Sequence, residues 1–392
     1  MAFDRSAIQQ ALREDGLDGW LLYDFHGSNP VARRIAGLSG AAKMTTRRWY
    51  YLVPASGEPR ALVHGIERDT LAHLPGERRI YAGRTELEAG LAELVRGMRR
   101  VAMEYSPACA IPYLSRVDAG TVESIRSLGA EVVSSGDLVQ RFEAIWDEAA
   151  LASHRAASDQ LYAIKDRTFE LIGERAATGT LTEYEVQQQM AAWFRQAGLV
   201  TDCPPVVAVQ ESSANPHYLP TAAAHRTIRP EQIVLLDLWG KLDRSAAVYA
   251  DITWVGFTGS VVPAEPAAVF SAARAARDAA VALVDDRVRA GSPISGWEVD
   301  RAAREVIGNA GYGDRFVHRT GHSLGEEVHG NGVHMDDYET HDERRLIAGT
   351  GFTIEPGIYL DDFGVRTEIN MHGGNAEAAV TGPRQTEIVP LG

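Results

Sequence analysis

Two carboxylates, Asp237 and Asp251, stand inside stretches that otherwise have the composition of buried strand. The run Val234 to Phe257 (VLLDLWGKLDRSAAVYADITWVGF) places β-branched, aliphatic and aromatic residues on both sides of Asp243-Arg244-Ser245, so it predicts a hairpin. With a turn around Arg244, the two acids fall on opposite strands at nearly the same height. Bare carboxylates so placed repel, and one stays protonated unless a divalent cation sits between them. A single acid near a turn is ordinary; this one is not alone. Phe352 to Met371 (FTIEPGIYLDDFGVRTEINM) repeats the arrangement, with Glu355 and Glu368 facing each other across Asp361-Asp362. Between the hairpins lies HRTGHSLGEEVHG, which carries His318, His322 and His329. Imidazole combined with carboxylates is a donor set for a transition metal. Asp237, Asp251, His322, Glu355 and Glu368 together suit a site for two divalent ions.

The pieces LLDLWG and YADIT, GHSLGEEVH, FTIEPG and GVRTEI occur in the order of the five metal-ligand motifs of the pita-bread metallopeptidases. The chain therefore resembles the family that contains methionine aminopeptidase, aminopeptidase P and prolidase, strongly from about Asn215 to Ile388 and more loosely before residue 150. The resemblance implies a pita-bread catalytic domain and hydrolysis of Xaa-Pro bonds. Within the family a dipeptidase (prolidase) is the first expectation and aminopeptidase P the alternative. An amino-terminal stretch of about 145 residues argues against methionine aminopeptidase. A metal-free creatinase-like hydrolase and a non-catalytic binding module are the other readings, and both usually lose ligands that this chain retains.

The same resemblance implies roles. Asp237 binds one metal, Asp251 and Glu368 bridge, His322 completes the second coordination sphere, and Glu355 also shuttles a proton. His217, in Ala214-Asn215-Pro216-His217-Tyr218, contacts the substrate and steadies the tetrahedral centre; His318 and His329 line the pocket. Two metals roughly 3.5–4 Å apart share a water and lower its pKa. Oxygen-rich ligation with one His favours Mn, with Zn or Co as other occupants. Arg366, two residues before Glu368, is expected on the same strand face, holding a ligand carboxylate. His334 and His341 match no motif and are expected at the surface. Relative to the family, the first hairpin has a longer turn, Trp254 replaces the usual Arg after DIT, and Tyr249 is one position closer to Asp251, which is expected to turn its hydroxyl away.

The elements that must position these groups follow from length and pattern. At 392 residues two domains are expected, an α/β amino-terminal domain over 1–145 and an α/β pita-bread domain over 146–392. In the first, an amphipathic helix over Arg5–Asp15 ends at Gly16, a strand covers Trp20–Tyr23, and a hairpin pairs Trp49–Val53 with Arg60–His64. Helix and strand then alternate over Glu86–Met98, Arg100–Met103, Arg116–Leu128 and Glu131–Val133, which predicts a mixed sheet. His26-Gly27-Ser28-Asn29-Pro30 is expected to be a turn. In the second, Glu148–Arg175 and Ala264–Arg289 are long helices, and Thr182/Glu185 and Ser295/Glu298 have capping-box spacing for two more.

A net charge of -14 argues against nucleic acid as a partner and for a small substrate, which the resemblance implies is a small peptide with proline second. Cys109 and Cys203, the only two cysteines, make no disulfide framework, which suits a reducing compartment. The amino terminus lacks an apolar core of signal length, and no later run is long enough for a membrane span, so a cytoplasmic location is expected. The resemblance, together with an amino-terminal domain that carries no catalytic motif, implies a homodimer in which that domain of one subunit closes the pocket of the other.

Overall fold

The structure, a computed structural model, describes residues 3–38 and 45–392. The chain divides into two compact units, one ending at Glu143 and the other running from Ala144 to Gly392.

The first unit holds β1 (Gly19–Asp24), β2 (Trp49–Pro54), β3 (Arg60–His64), β4 (Glu77–Tyr81), β5 (Arg100–Met103) and β6 (Glu131–Ser134) in one sheet, ordered β4-β3-β2-β1-β5-β6. β1 is antiparallel to β2 and parallel to β5, so the sheet is mixed. Alternation decides its packing. Trp20 and Leu22 join one apolar cluster with Ile8 and Leu12 of helix α1 (Arg5–Glu14) and Val31 and Ala32 of α2 (Pro30–Ile35). Leu21 and Tyr23 point the other way, toward Leu87 and Leu91 of α3 (Arg84–Leu94) and Ile125 of α4 (Ala119–Ser127). With both faces covered, β1 is buried along its whole length. The expected turn over His26-Gly27-Ser28-Asn29-Pro30 forms in its first part, where Ser28 N–H donates to Phe25 O at 3.1 Å, but its last two residues start α2. Asn29 caps Ala32 N–H and Pro30 stands in the first turn, a helix-start signal that loop composition had masked.

The second unit alternates helix pairs with hairpins. After the short helix α5 (Gly136–Val139) that closes the first unit come α6 (Glu148–Arg175) and α7 (Glu183–Gln196), the short strands β7 (Leu199–Val200) and β8 (Val206–Val209), and the hairpin β9 (Ile233–Leu242) with β10 (Ala250–Phe257). Then α8 (Ala264–Arg289) and α9 (Gly296–Asn309) precede β11 (Ser323–Leu324), β12 (Gly351–Ile354), β13 (Gly357–Tyr359), β14 (Gly364–Arg366), β15 (Ile369–Gly373), β16 (Ala378–Val380) and β17 (Val389–Pro390). Both capping boxes form, at Thr182/Glu185 and Ser295/Glu298.

Leu236, Leu238 and Ile252 pack on α6 and α7, whereas Val255, Ile354 and Ile369 pack on α8 and α9. At about 25 cal/mol per Å² of apolar area removed from water, each such Leu or Ile contributes roughly 1.5–3 kcal/mol, so the two helix pairs hold the hairpins as fixed supports.

Candidate metal centre

The register of the first hairpin pairs Asp237 with Thr253 and Asp251 with Trp239. The acids are therefore diagonal neighbours on one face, not directly opposite. The connection from Asp243 to Tyr249 centres the hairpin one residue later than a turn at Arg244 would, which shifts pairing by two and keeps the face. Trp254, of opposite parity, lies on the helix side, with the Lys165 ammonium 3.9 Å from its ring centre. Tyr249 is buried beside Asp202 and Asp251, and burial pushes its hydroxyl up to about 12.

The second hairpin keeps one register through two ladders, Ile354↔Ile369 and Gly357↔Arg366. Between the ladders Glu355-Pro356 and Thr367-Glu368 leave the strand pairing. Pro356 has no N–H to give, and the two glutamates bond elsewhere: Glu355 N–H donates to Thr320 O at 2.7 Å and Glu368 N–H to Thr253 O at 3.2 Å. Glu368 thus follows a break after Arg366 rather than continuing its strand, yet both side chains reach the same centre. The His322 segment enters as strand β11 on the edge of β12. Gly321 is required there, because a Cβ would lie 2.0 Å from Thr353 O.

Asp251, His322 and Glu368 each offer a donor atom, all within 4.8 Å of one another, and all three side chains are buried. His322 Nε2 stands 3.6 Å from Asp251 Oδ2 and 3.5 Å from Glu355 Oε1. Its Nδ1 faces Ser323 O at 3.1 Å; a carbonyl only accepts, so Nδ1 carries the hydrogen and Nε2 turns a lone pair toward the carboxylates. Burial keeps this imidazole neutral, well below its ordinary range. Burial first, and then the charge of its neighbours, holds Asp251 and Glu368 well above the usual carboxylate range. Burial pushes Glu355 up to about 7 against the opposing charge of Arg366. Asp251 Oδ1 and Glu368 Oε1 are buried with no hydrogen-bond partner. Lone pairs and mutually repelling acids converging with orphaned oxygens fit a divalent cation, which would satisfy all of them together.

Asp237 is held from behind. The buried Arg366 guanidinium bonds Asp237 Oδ2, donates through Nε to Thr253 Oγ1 at 2.9 Å, and reaches the Tyr359 hydroxyl at 3.3 Å. The Thr253 hydroxyl in turn lies 3.0 Å from Asp237 Oδ1 and 2.8 Å from Glu368 Oε2. Residue types alone did not single out this threonine as a hub, although it is the T of the YADIT motif. Thr353 Oγ1 accepts from His322 N and bonds Glu355 Oε1, while Asn370 clamps both backbone groups of Asp251. Such supports fix orientation and basicity of ligands.

Both ring nitrogens of His318 are engaged inside the protein. Nδ1 bonds Arg319 O and Nε2 faces the Tyr359 hydroxyl at 2.8 Å, so the tyrosine donates and the imidazole, lowered by burial to about 3, stays neutral. His329 packs edge-on to His322 with ring centres 4.4 Å apart, and burial lowers it to about 4. His217 is exposed, and its charge is felt at His329. The expectation that His334 lies at the surface is wrong: it is 1 % exposed, its ring Nδ1 accepts from Ser323 N–H, and its backbone N–H donates to Asp342, which Arg344 grips. A folded-over loop around a buried ion pair covers it. His341 is outside this network, stacked on Trp297.

Among known proteins, an Xaa-Pro dipeptidase of Lactobacillus delbrueckii subsp. lactis is 31% identical over 246 residues, 59% of this chain and 58% of the relative. An Xaa-Pro dipeptidase of Lactobacillus helveticus is 34% identical over 172 residues, 42% of this chain and 40% of that one. The match thus spans less than two thirds of these relatives. The crystal structure of dipeptidase PepE from Mycobacterium ulcerans superposes with a TM-score of 0.72 at 22% identity, over 99% of this chain and 96% of that one, and shares its α/β fold with an amino-terminal domain ahead of the catalytic domain. The profile of Metallopeptidase family M24 matches residues 148–372, which take in both hairpins and the histidine segment between them. With more than half of its length and the whole buried acid–imidazole centre inside that match, the chain belongs to metallopeptidase family M24, the pita-bread family.

Proposed function

We propose that this chain is a metal-dependent peptidase that hydrolyses Xaa-Pro bonds, with Xaa-Pro dipeptides as its substrates and two divalent ions, Mn foremost and Zn or Co as alternatives, at its centre. The observation that carries this is the convergence of Asp251, His322 and Glu368 donors within 4.8 Å, with Glu355 and the Arg366-held Asp237 beside them. Relatives named Xaa-Pro dipeptidase support the substrate class.

Asp237, Asp251, His322, Glu355 and Glu368 would hold the divalent ions, which would supply Lewis acidity that lowers the pKa of a water and polarises a peptide carbonyl. The protein does the rest. Arg366 and Thr253 keep Asp237 and Glu368 oriented. Glu355, which burial pushes up to about 7, takes and returns a proton at its carboxylate. His217, on the exposed loop, and His329 face the substrate, and His318 acts through Tyr359 on Arg366. A proline bond has no N–H, which suits a site that works on the carbonyl. A cationic side chain at the pocket would favour the free carboxylate of a dipeptide over the neutral amide of a longer peptide. The protein acts as a homodimer on small peptides in the cytoplasm; no described helix is long and apolar enough to cross a membrane. Sedimentation checks the assembly.

The test is metal content of the purified chain together with kcat/KM for Ala-Pro against Ala-Pro-Ala with Mn. Two bound ions and a preference for Ala-Pro are expected. A preference for the tripeptide makes the protein an aminopeptidase P, and failure to bind metal removes the peptidase reading.

A further inference from the structure

The loop that carries His217 is tied at both ends and in the middle to one buried carboxylate. Glu183 is the first residue of α7, after the Thr182 cap, and is 0 % exposed. Its Oε1 accepts from Val209 N–H at 2.8 Å, where β8 ends and the loop begins. Its Oε2 accepts from Arg226 N–H at 2.6 Å, where the loop returns, and from the Tyr218 hydroxyl. The Glu183 N–H donates back to Arg226 O at 3.0 Å. Within the loop, His217 N–H donates to Asn215 Oδ1 and Tyr218 N–H to Asn215 O, each at 3.0 Å.

A carboxylate only accepts, and every partner of Glu183 here only donates or is free to donate, so the group is matched without a counter-cation. Its place at a helix amino terminus adds the field of the α7 dipole. The segment from Gln210 to His225 has one short 3-10 turn, Gln210–Ser212, as its regular structure. Left alone it would sample many conformations. Gln210 and Ser213 tie its start to Asp362 O and Gly364 N–H, and three bonds to one rigid helix end, one of them from the residue next to His217, hold its two ends and the part around His217.

We propose that Glu183 is a positioning residue for His217: through Val209, Tyr218 and Arg226 it sets the loop so that the imidazole meets the substrate. This rests on the proposed function, in which His217 contacts the substrate. Glutamine cannot replace it, because an amide nitrogen would face either the Val209 or the Arg226 N–H, donor against donor. Leaving a buried donor unpaired costs about 1–3 kcal/mol, or roughly 5- to 150-fold if it is expressed in transition-state binding.

The experiment is a double-mutant cycle with Mn-loaded full-length protein: Glu183→Gln, Tyr218→Phe, His217→Ala, and each of the first two combined with the third. Both Glu183→Gln and Tyr218→Phe are expected to lower kcat/KM by at least about 5-fold, with bound metal unchanged, and to add less than about twofold in the His217→Ala background. Hydrogen exchange at Val209 and Arg226 should quicken while α7 stays protected. Full multiplication of the two effects, or single variants within twofold of wild type, overturns the proposal. If Glu183→Gln does not fold, Tyr218→Phe decides alone. A His217→Ala variant with wild-type turnover overturns the role of His217 and this proposal with it. Multiplicative losses on an impaired His217→Ala background overturn the positioning role only.

Discussion

Replacing Glu368 with glutamine should stabilise the metal-free protein while destroying its activity. The side chain is 2 % exposed, and its donor oxygen lies within 4.8 Å of Asp251. Two unit charges at that distance repel by about 3.5 kcal/mol at an effective dielectric of about 20. Part of this is already relieved, because both carboxyls sit well above their usual range and hold protons longer. A carboxyl so raised binds its proton in the folded state at pH values where the unfolded chain has lost it. Stability therefore falls as pH rises from about 4.5 toward the folded value. Glutamine keeps an oxygen for the Thr253 hydroxyl and carries no charge. At pH 8 in EDTA the variant should gain roughly 1–3 kcal/mol, about 3–10 °C in Tm for a unit of this size. At pH 5 the gain should shrink. Mn should raise the Tm of wild type far more than that of the variant, and turnover should vanish, as it should for Asp251→Asn. A lower Tm for Glu368→Gln in EDTA at pH 8 would show that these acids do not repel and would refute the reasoning.

Arg366→Lys keeps the charge but cannot span Asp237, Thr253 and Tyr359 at once, so Mn affinity measured by titration should drop about 10- to 100-fold with the fold retained; unchanged affinity would count against its support of Asp237. Burial lowers His154 to about 4, with its ring between Tyr249 O and the Thr381 hydroxyl. An imidazole so lowered is neutral when folded, so its contribution is present above pH 6.5 and lost as pH falls toward about 4, worth about 3 kcal/mol. His154→Asn should flatten the acid limb of a Tm-against-pH curve, and an unchanged slope would refute that.

Local pattern determined much of this protein. The capping boxes at Thr182 and Ser295, the long helices Glu148–Arg175 and Ala264–Arg289, and the strand Arg100–Met103 are short-range matters of spacing and propensity, and they form where the residues place them. The period of two put Asp237 and Asp251 on one face even though the hairpin centre moved by a residue. Strand β4 was invisible, because Glu77-Arg78-Arg79-Ile80-Tyr81 is an exposed edge with no apolar alternation. Helix α2 was obscured by the turn-like run His26 to Pro30, although Asn29-Pro30 is a sound helix start.

What the tertiary structure alone decided is how these pieces meet. No local rule says that Thr253 will touch Asp237, Glu368 and Arg366 together, since these contacts join residues 16, 115 and 113 positions apart. Nor does one say that His334, in a polar stretch, will be covered by a loop held on Asp342 and Arg344. The raised carboxyls and neutral imidazoles have the same origin. Residue type supplies the ionisable group, but only burial among the other groups sets the cost of its charge, and that burial exists only once the two hairpins have closed on the histidine segment.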